Sequence, residues 1–283
     1  MSLQSSAGRH GQLKLSFAKE GSRTIMARSY FRVPLQVMKP RHHKSGCTCI
    51  YLLSPTGGVV QGDNYHIDID LSKDAYVLLT TQAATKIYGM PTSGAKQQMH
   101  IHVGESAMLE YLPDPMILFR DANFNQSLSV FLEDGAKAVL QEIIMPGRLA
   151  RGEVLTFNSY RNLLEAFDRN GLLLCDSFCI EPKKQLYLTN LGVLEGYPCW
   201  GSWYLLGDFE IDTPKWELLC DMANSLLNQP EKSVGGLSRL HRNGITMRML
   251  AHNTQSIQSA FQAIWDWLKT EHFGLDTIDL RKY

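Results

Sequence analysis

The amino-acid sequence predicts a mainly β protein of extended antiparallel strands with two α-helices near its C-terminal end, and three observations carry that reading. From Gln12 to about Phe209, short apolar or alternating runs are broken by Gly, Pro, Asp and Asn every eight to twelve residues or so, the spacing of many short strands. Several runs alternate strictly: residues 65, 67, 69 and 71 of Tyr65-His-Ile-Asp-Ile-Asp-Leu71 are apolar, as are Met99, Ile101 and Val103 of the run 97–103. A period of two places one side chain set on a core and shows the solvent the His, Asp and Gln set. Only after residue 212 does the period change to about 3.6.

The elements follow in chain order. Glu133-Asp-Gly135 and Asp168-Arg-Asn-Gly171 supply the positive φ that tight turns between strands require. Thr213 is placed to cap a helix with Pro214 at its first position, and Trp216, Cys220, Ala223 and Leu227 recur along it to about Gln229. A second helix is expected from Thr254 to about Lys269, with Ile257, Phe261, Ile264 and Leu268 on one stripe.

Composition bounds the function. The chain has 283 residues, 44% of them hydrophobic, enough for a sizeable core, and no internal repeat or flexible linker divides it. One domain, 1–283, is expected, with about the first ten polar residues disordered. Lys plus Arg and Asp plus Glu both number 28, and this balance argues against electrostatic capture of nucleic acid or an anionic membrane. No apolar run reaches the roughly 18 residues of a membrane span and the first ten residues lack a signal-peptide core, so a cytoplasmic protein is expected. Six irregularly placed cysteines fit reduced thiols better than a disulfide framework.

Two stretches stand out. Leu52-Leu-Ser-Pro-Thr-Gly-Gly-Val-Val-Gln-Gly-Asp63 sets Gly57, Gly58 and Gly62 where another backbone or a ligand comes close, followed at once by the carboxylate of Asp63. Thr80-Thr-Gln-Ala-Ala-Thr-Lys-Ile-Tyr88 ends an apolar strand in Gln82, Thr85 and other polar side chains, a surface suited to a channel or an interface. Asp176, between Cys175 and Ser177 on the otherwise apolar run 172–180, is costly to bury without a partner or water. Arg148 and Arg151 are placed to pair with Glu142, Glu153 or a carboxylate of another protein. Cys47-Thr-Cys49, Cys175 with Cys179, and His100 with His102 have same-face spacing for soft metal ligands, but small core residues for the cysteines and a solvated polar face for the histidines are the preferred readings. Tyr30, Phe31, Arg32, Trp200, Trp203 and Tyr204 are anchor types that serve either an interface or a core. The sequence has no Gly-x-Ser-x-Gly elbow, no Walker loop and no His-Glu-x-x-His, and Asp63 would oppose a phosphate in the glycine loop.

These two stretches, with Ser29-Tyr-Phe-Arg-Val-Pro-Leu-Gln-Val37, Leu109-Glu-Tyr-Leu-Pro-Asp-Pro115, Pro146-Gly-Arg-Leu-Ala-Arg-Gly-Glu153 and Gly236-Leu-Ser-Arg-Leu240 in the same order, resemble the urease accessory protein family UreD, also called UreH. Gln61, where that loop usually carries glycine, and Asp114-Pro115 depart from the pattern. The resemblance implies a β-helix-like stack of sheets plus two helices. It further implies a non-enzymatic maturation factor that binds apo-urease structural subunits with UreF-like and UreG-like accessory proteins and helps deliver nickel, with Ni²⁺ in transit and no tightly bound cofactor. A conduit must hold the hydrated ion weakly enough to release it. Spaced oxygens do so where a Cys and His cage would trap the metal, and Asp63, Thr85, Glu142 and Asp176 are the passage residues expected on that ground. Gly57, Gly58, Gly62, Gln82, Tyr88, Arg148 and Arg151 are the expected interface or motif residues. The rival reading is an adaptor that docks the other accessory proteins on urease without touching nickel.

Overall fold

The computed structural model describes residues 9–242 and 244–280. The disorder expected for about the first ten residues lies, through residue 8, outside the described residues, and the first strand starts at His10. In chain order the strands are β1 (His10–Glu20), β2 (Arg23–Arg32), β3 (Gln36–Val37), β4 (Arg41–His42), β5 (Thr48–Leu53), β6 (Asn64–Leu71), β7 (Tyr76–Thr81), β8 (Thr85–Ile87) and β9 (Ala95–Val103). There follow β10 (Met108–Tyr111), β11 (Met116–Leu118), β12 (Asn123–Leu132), β13 (Lys137–Met145), β14 (Ser159–Asp168), β15 (Gly171–Ile180) and β16 (Cys199–Gly207). Helix α1 (Thr213–Leu227), strands β17 (Ser233–Arg239) and β18 (Gly244–Ala251) and helix α2 (Thr254–Trp267) complete the fold.

One sheet, A, has the order β15-β14-β12-β9-β6-β1-β2, and the other, B, runs β17-β18-β16-β13-β10-β7-β5-β3. From β6 to β14 the chain coils: β6, β9, β12 and β14 lie in A while β7, β10 and β13 lie in B. Strands that return to the same sheet once per coil all point the same way, so β6, β9, β12 and β14 are parallel neighbours, as are β7, β10 and β13. The β-helix-like stacking and the two late helices are as expected. The antiparallel pairing expected throughout is found at the margins, in β1–β2, β14–β15, β13–β16, β16–β18 and β17–β18. The difference has a simple source, because alternation fixes which side chains face in but not where the chain goes after a turn. Asn170-Gly171 closes the hairpin β14–β15, whereas Asp134-Gly135 carries the chain from sheet A to sheet B.

The apolar parities fill two cores. Tyr65, Ile67, Ile69 and Leu71 of β6 and Met99, Ile101 and Val103 of β9 are buried between the sheets, as their alternation predicts. On the other side of sheet B, Trp203 and Leu205 of β16 meet α1 and α2, where Ile257, Phe261 and Ile264 form the expected stripe. The cap of α1 lies one residue before the expected Thr213, which is itself the first helical residue, since Asp212 Oδ1 accepts the amide of Lys215 at 2.9 Å; Asn253 caps α2 through the amide of Ser256. Within this second core, Glu110 and Lys269 are almost wholly buried and paired at 2.8 Å, and the carboxylate also accepts from the hydroxyl of Tyr76 and, at 2.7 Å, from Trp265 Nε1. This network ties the last turn of α2 to the middle of sheet B. No helix is long and apolar enough to cross a membrane among the described residues.

Candidate functional site

The two motif loops form adjacent bends of the coil. The backbone of residues 57–59 lies against the edge of β8: the Val59 amide donates to Lys86 O at 2.8 Å and the Tyr88 amide to Val59 O at 3.0 Å. Gly58, with φ of 155°, leaves no room for a side chain, because a Cβ there would stand 2.4 Å from Lys86 O. One coil further, Asp114 and Thr81 exchange hydrogen bonds, the Asp114 amide to Thr81 Oγ1 at 2.9 Å and that hydroxyl to Asp114 Oδ2 at 3.2 Å. The two departures from the family pattern therefore have local partners: Asp114 holds Thr81, and Gln61 Oε1 accepts the Thr92 amide at 2.9 Å.

These bends surround the mouth of a cavity of about 400 Å³ between the sheets. Ser54, Gly57, Gln82, Thr85 and Lys86 line its outer end, while Gln126, Glu142, Asn162, Ser202 and Tyr204 line its inner end. The inner end arises from a polar register row. On sheet A, Gln97, Gln126 and Asn162 are Cα partners on successive strands and share the parity of the core-facing Met99, Leu128 and Leu164. Sheet B sets Glu142 opposite them.

Glu142 collects donors from three directions. The amide group of Gln126 and the hydroxyl of Tyr160 (2.6 Å) donate to Oε1, and Asn162 Nδ2 donates to Oε2 at 3.2 Å. Removal from bulk water pushes its carboxyl up from 4.5 to about 7, against the lowering by these hydrogen bonds and by Arg248, with Asp176 adding to the rise. The group thus exchanges a proton near neutrality at the inner end of the cavity. Asp176 lies next along, behind Tyr204, whose hydroxyl it accepts; its other oxygen pairs with Arg248 at 2.7 Å. Its burial is accordingly compensated by a cation and a hydroxyl, the ion-pair alternative of the two expected from sequence.

The expected passage residues therefore separate. Thr85 and Glu142 line one cavity and Asp176 adjoins it through Tyr204. Asp63 is not among the residues that line it: its Oδ2 accepts the Val60 amide at 2.8 Å and the Tyr65 hydroxyl at 2.6 Å, fixing the glycine loop on the wall of the cavity. Among the expected motif residues, Gly57 receives the Tyr88 hydroxyl on its carbonyl at 3.4 Å, and Gly62, with φ of 81°, makes the turn into β6. Arg148 clamps Glu153 through two nitrogens at 2.9 and 2.6 Å and lies over the ring of Phe119. Burial opposes the charge of Glu153, but Arg148 and the Arg120 amide hold its carboxyl below the usual range. Arg151, by contrast, is exposed.

The residues with soft-ligand spacing lie in different surroundings. Cys47 and Cys49 are buried in the second core, and Cys175 and Cys179 are exposed on edge strand β15. His102 bridges Asp70 at 2.8 Å and Glu133 at 3.1 Å on the solvent face of sheet A. No group of three or more His, Cys, Asp or Glu side chains arranged to hold a metal ion is found among the described residues. Sequence reading passed over Gln126, Tyr160, Asn162 and Arg248. The inward parity of Gln126 and Asn162 on apolar strands was the available signal, whereas nothing in the sequence places Arg248 beside Asp176.

Comparison with known proteins gives one consistent result. Residues 9–282 match the family model for the UreD urease accessory protein. The chain is 30% identical over 274 residues to a protein named urease accessory protein UreD from Lachnoclostridium phytofermentans, covering 96% of this chain and 98% of the relative. It is 32% identical to one of the same name from Cenarchaeum symbiosum, covering 97% and 96%. Identity reaches 34% with another from Thermosynechococcus vestitus, covering 93% of each.

Proposed function

Since the chain belongs to the UreD urease accessory protein family and so has a part in urease maturation, we propose that it takes that part as a scaffold for nickel insertion whose inter-sheet cavity handles the ion in transit. It acts with UreF-like and UreG-like accessory proteins on the apo-urease subunits, in the cytoplasm, and is an accessory factor and not a catalyst. Ni²⁺ is cargo, and no cofactor is held tightly.

One observation carries this reading: a carboxylate that exchanges a proton near neutral pH, Glu142, sits with Gln126, Asn162, Ser202 and Tyr204 as a polar cluster at the inner end of a cavity whose walls are otherwise largely apolar. Ni²⁺ is a borderline cation that imidazole and thiolate hold tightly and oxygen ligands hold weakly, so a single carboxylate with hydroxyl and amide neighbours favours entry without capture. Binding of the ion to Glu142 expels the proton, and reprotonation favours release. Arg248, paired with Asp176, opposes a resting cation beyond that point.

The test is co-expression of urease subunits and the other accessory proteins with the wild-type chain, without it, and with Glu142→Gln. Nickel per urease and complex assembly by pull-down are measured together. Loss of loading on omission, and at least a tenfold drop with Glu142→Gln in an intact complex, support the reading. Full loading with Glu142→Gln favours the adaptor instead.

A further inference from the structure

The second half of β2 is an exposed sheet edge. Six consecutive residues of this strand, Ala27 to Arg32, are exposed, and β2 is the last strand of sheet A, paired only with β1. Register with β1 sorts its side chains: Tyr30 and Arg32 pair with Lys14 and Gln12 and Arg28 with Ser16 on the solvent face, while Phe31 and Ser29 pair with the core residues Leu13 and Leu15. Phe31 therefore has core parity, yet 47% of its surface is exposed. Arg28 and Arg32 form no ion pair among the described residues. An edge strand with unpaired backbone groups is a template for another strand.

We propose that this edge accepts one extended segment of a partner protein, a strand that alternates acidic with apolar residues. The acidic side chains would lie on the solvent face opposite Arg28 and Arg32, and the apolar ones would cover Phe31 on the inner face, with main-chain hydrogen bonds along 27–31. A second copy of this chain is the wrong occupant. Two β2 strands paired antiparallel about Tyr30 would set Arg28 of each against Arg32 of the other, and like charges directly opposite destabilise a sheet. Neither the cavity nor its cargo enters this inference.

The probe is a fluorescein-labelled synthetic peptide of about ten residues that alternates Glu and Val, long enough to span the open edge. Controls alternate Lys with Val and Glu with Gly. Binding to the full chain is read by anisotropy at low salt, and amide hydrogen exchange reports on residues 27–31. The Glu–Val peptide is expected to bind at least tenfold more tightly than either control and to protect those amides. Arg28→Glu with Arg32→Glu, both exposed and so neutral to folding, should lose that preference and favour the Lys–Val peptide. Phe31→Ser should bring Glu–Val down to the level of Glu–Gly. Equal binding of Glu–Val and Glu–Gly, binding without protection at 27–31, or concentration-dependent protection of this edge by the chain alone would each overturn the proposal.

Discussion

Glu142→Gln should alter the pH dependence of folding stability in a direction fixed by the site. A carboxyl held near 7 in the folded protein and near 4.5 when unfolded binds more protons folded than unfolded between those values. Stability must therefore fall as pH rises from about 4.5 to 7, and the penalty is complete above 7. The difference of 7 − 4.5 corresponds to at most about 3 kcal/mol at about 1.4 kcal/mol per pH unit. Because the side chain faces a cavity large enough for water, screening reduces this to roughly 1–3 kcal/mol. Glutamine cannot ionise, and any change in its hydrogen bonds to Gln126, Tyr160 and Asn162 is a constant offset. Urea unfolding monitored by tryptophan fluorescence at pH 5 and pH 8 isolates the variable part. The variant should gain roughly 1–3 kcal/mol on wild type between these two pH values. A gap that does not change with pH, or one that moves the other way, would refute the assignment of Glu142 as a proton-exchanging carboxyl.

Further predictions concern the frame that holds the cavity. Lys269→Met leaves the buried Glu110 carboxylate without its cation and should destabilise by about 3–5 kcal/mol, while the double variant with Glu110→Leu recovers most of the loss in a thermal unfolding cycle; additive losses would show the pair to be uncoupled. Gly58→Ala forces a Cβ against Lys86 O and should cost about 2–4 kcal/mol, with faster proteolysis near residue 58; unchanged stability would mean the loop does not pack as described. Asp63→Asn keeps an acceptor for Val60 and Tyr65 and should cost about 1–2 kcal/mol without lowering nickel loading of urease in proportion; loading lost at full stability would return Asp63 to the passage.

Strand content, the buried parities of β6 and β9, and the stripe of α2 were all legible, because period and burial are local properties. The coil was not. Asp134-Gly135 and Asn170-Gly171 are alike as turn sequences, yet one changes sheet and the other closes a hairpin, and only long-range packing separates them. Much the same division holds for the site. Gly58 and Asp63 announce a constrained loop in one stretch of sequence. The neighbourhood of Glu142 is assembled from β12, β13 and β14, and Arg248 reaches Asp176 from more than seventy residues away. Glu110 with Lys269 was missed for the same reason, since neither residue departs from its local pattern enough to announce a partner 159 positions distant.

The account turns on whether the space beside Glu142, and not only the presence of the chain, is needed for nickel to reach urease. Ser202 faces Glu142 across the β13–β16 pairing and lines the cavity, so Ser202→Leu narrows the inner end without altering a surface. Nickel per urease, measured by mass spectrometry after co-expression with the other accessory proteins and after pull-down has shown the complex intact, is predicted to fall at least tenfold with this variant. Wild-type nickel content with the cavity narrowed would contradict the passage and leave a docking scaffold.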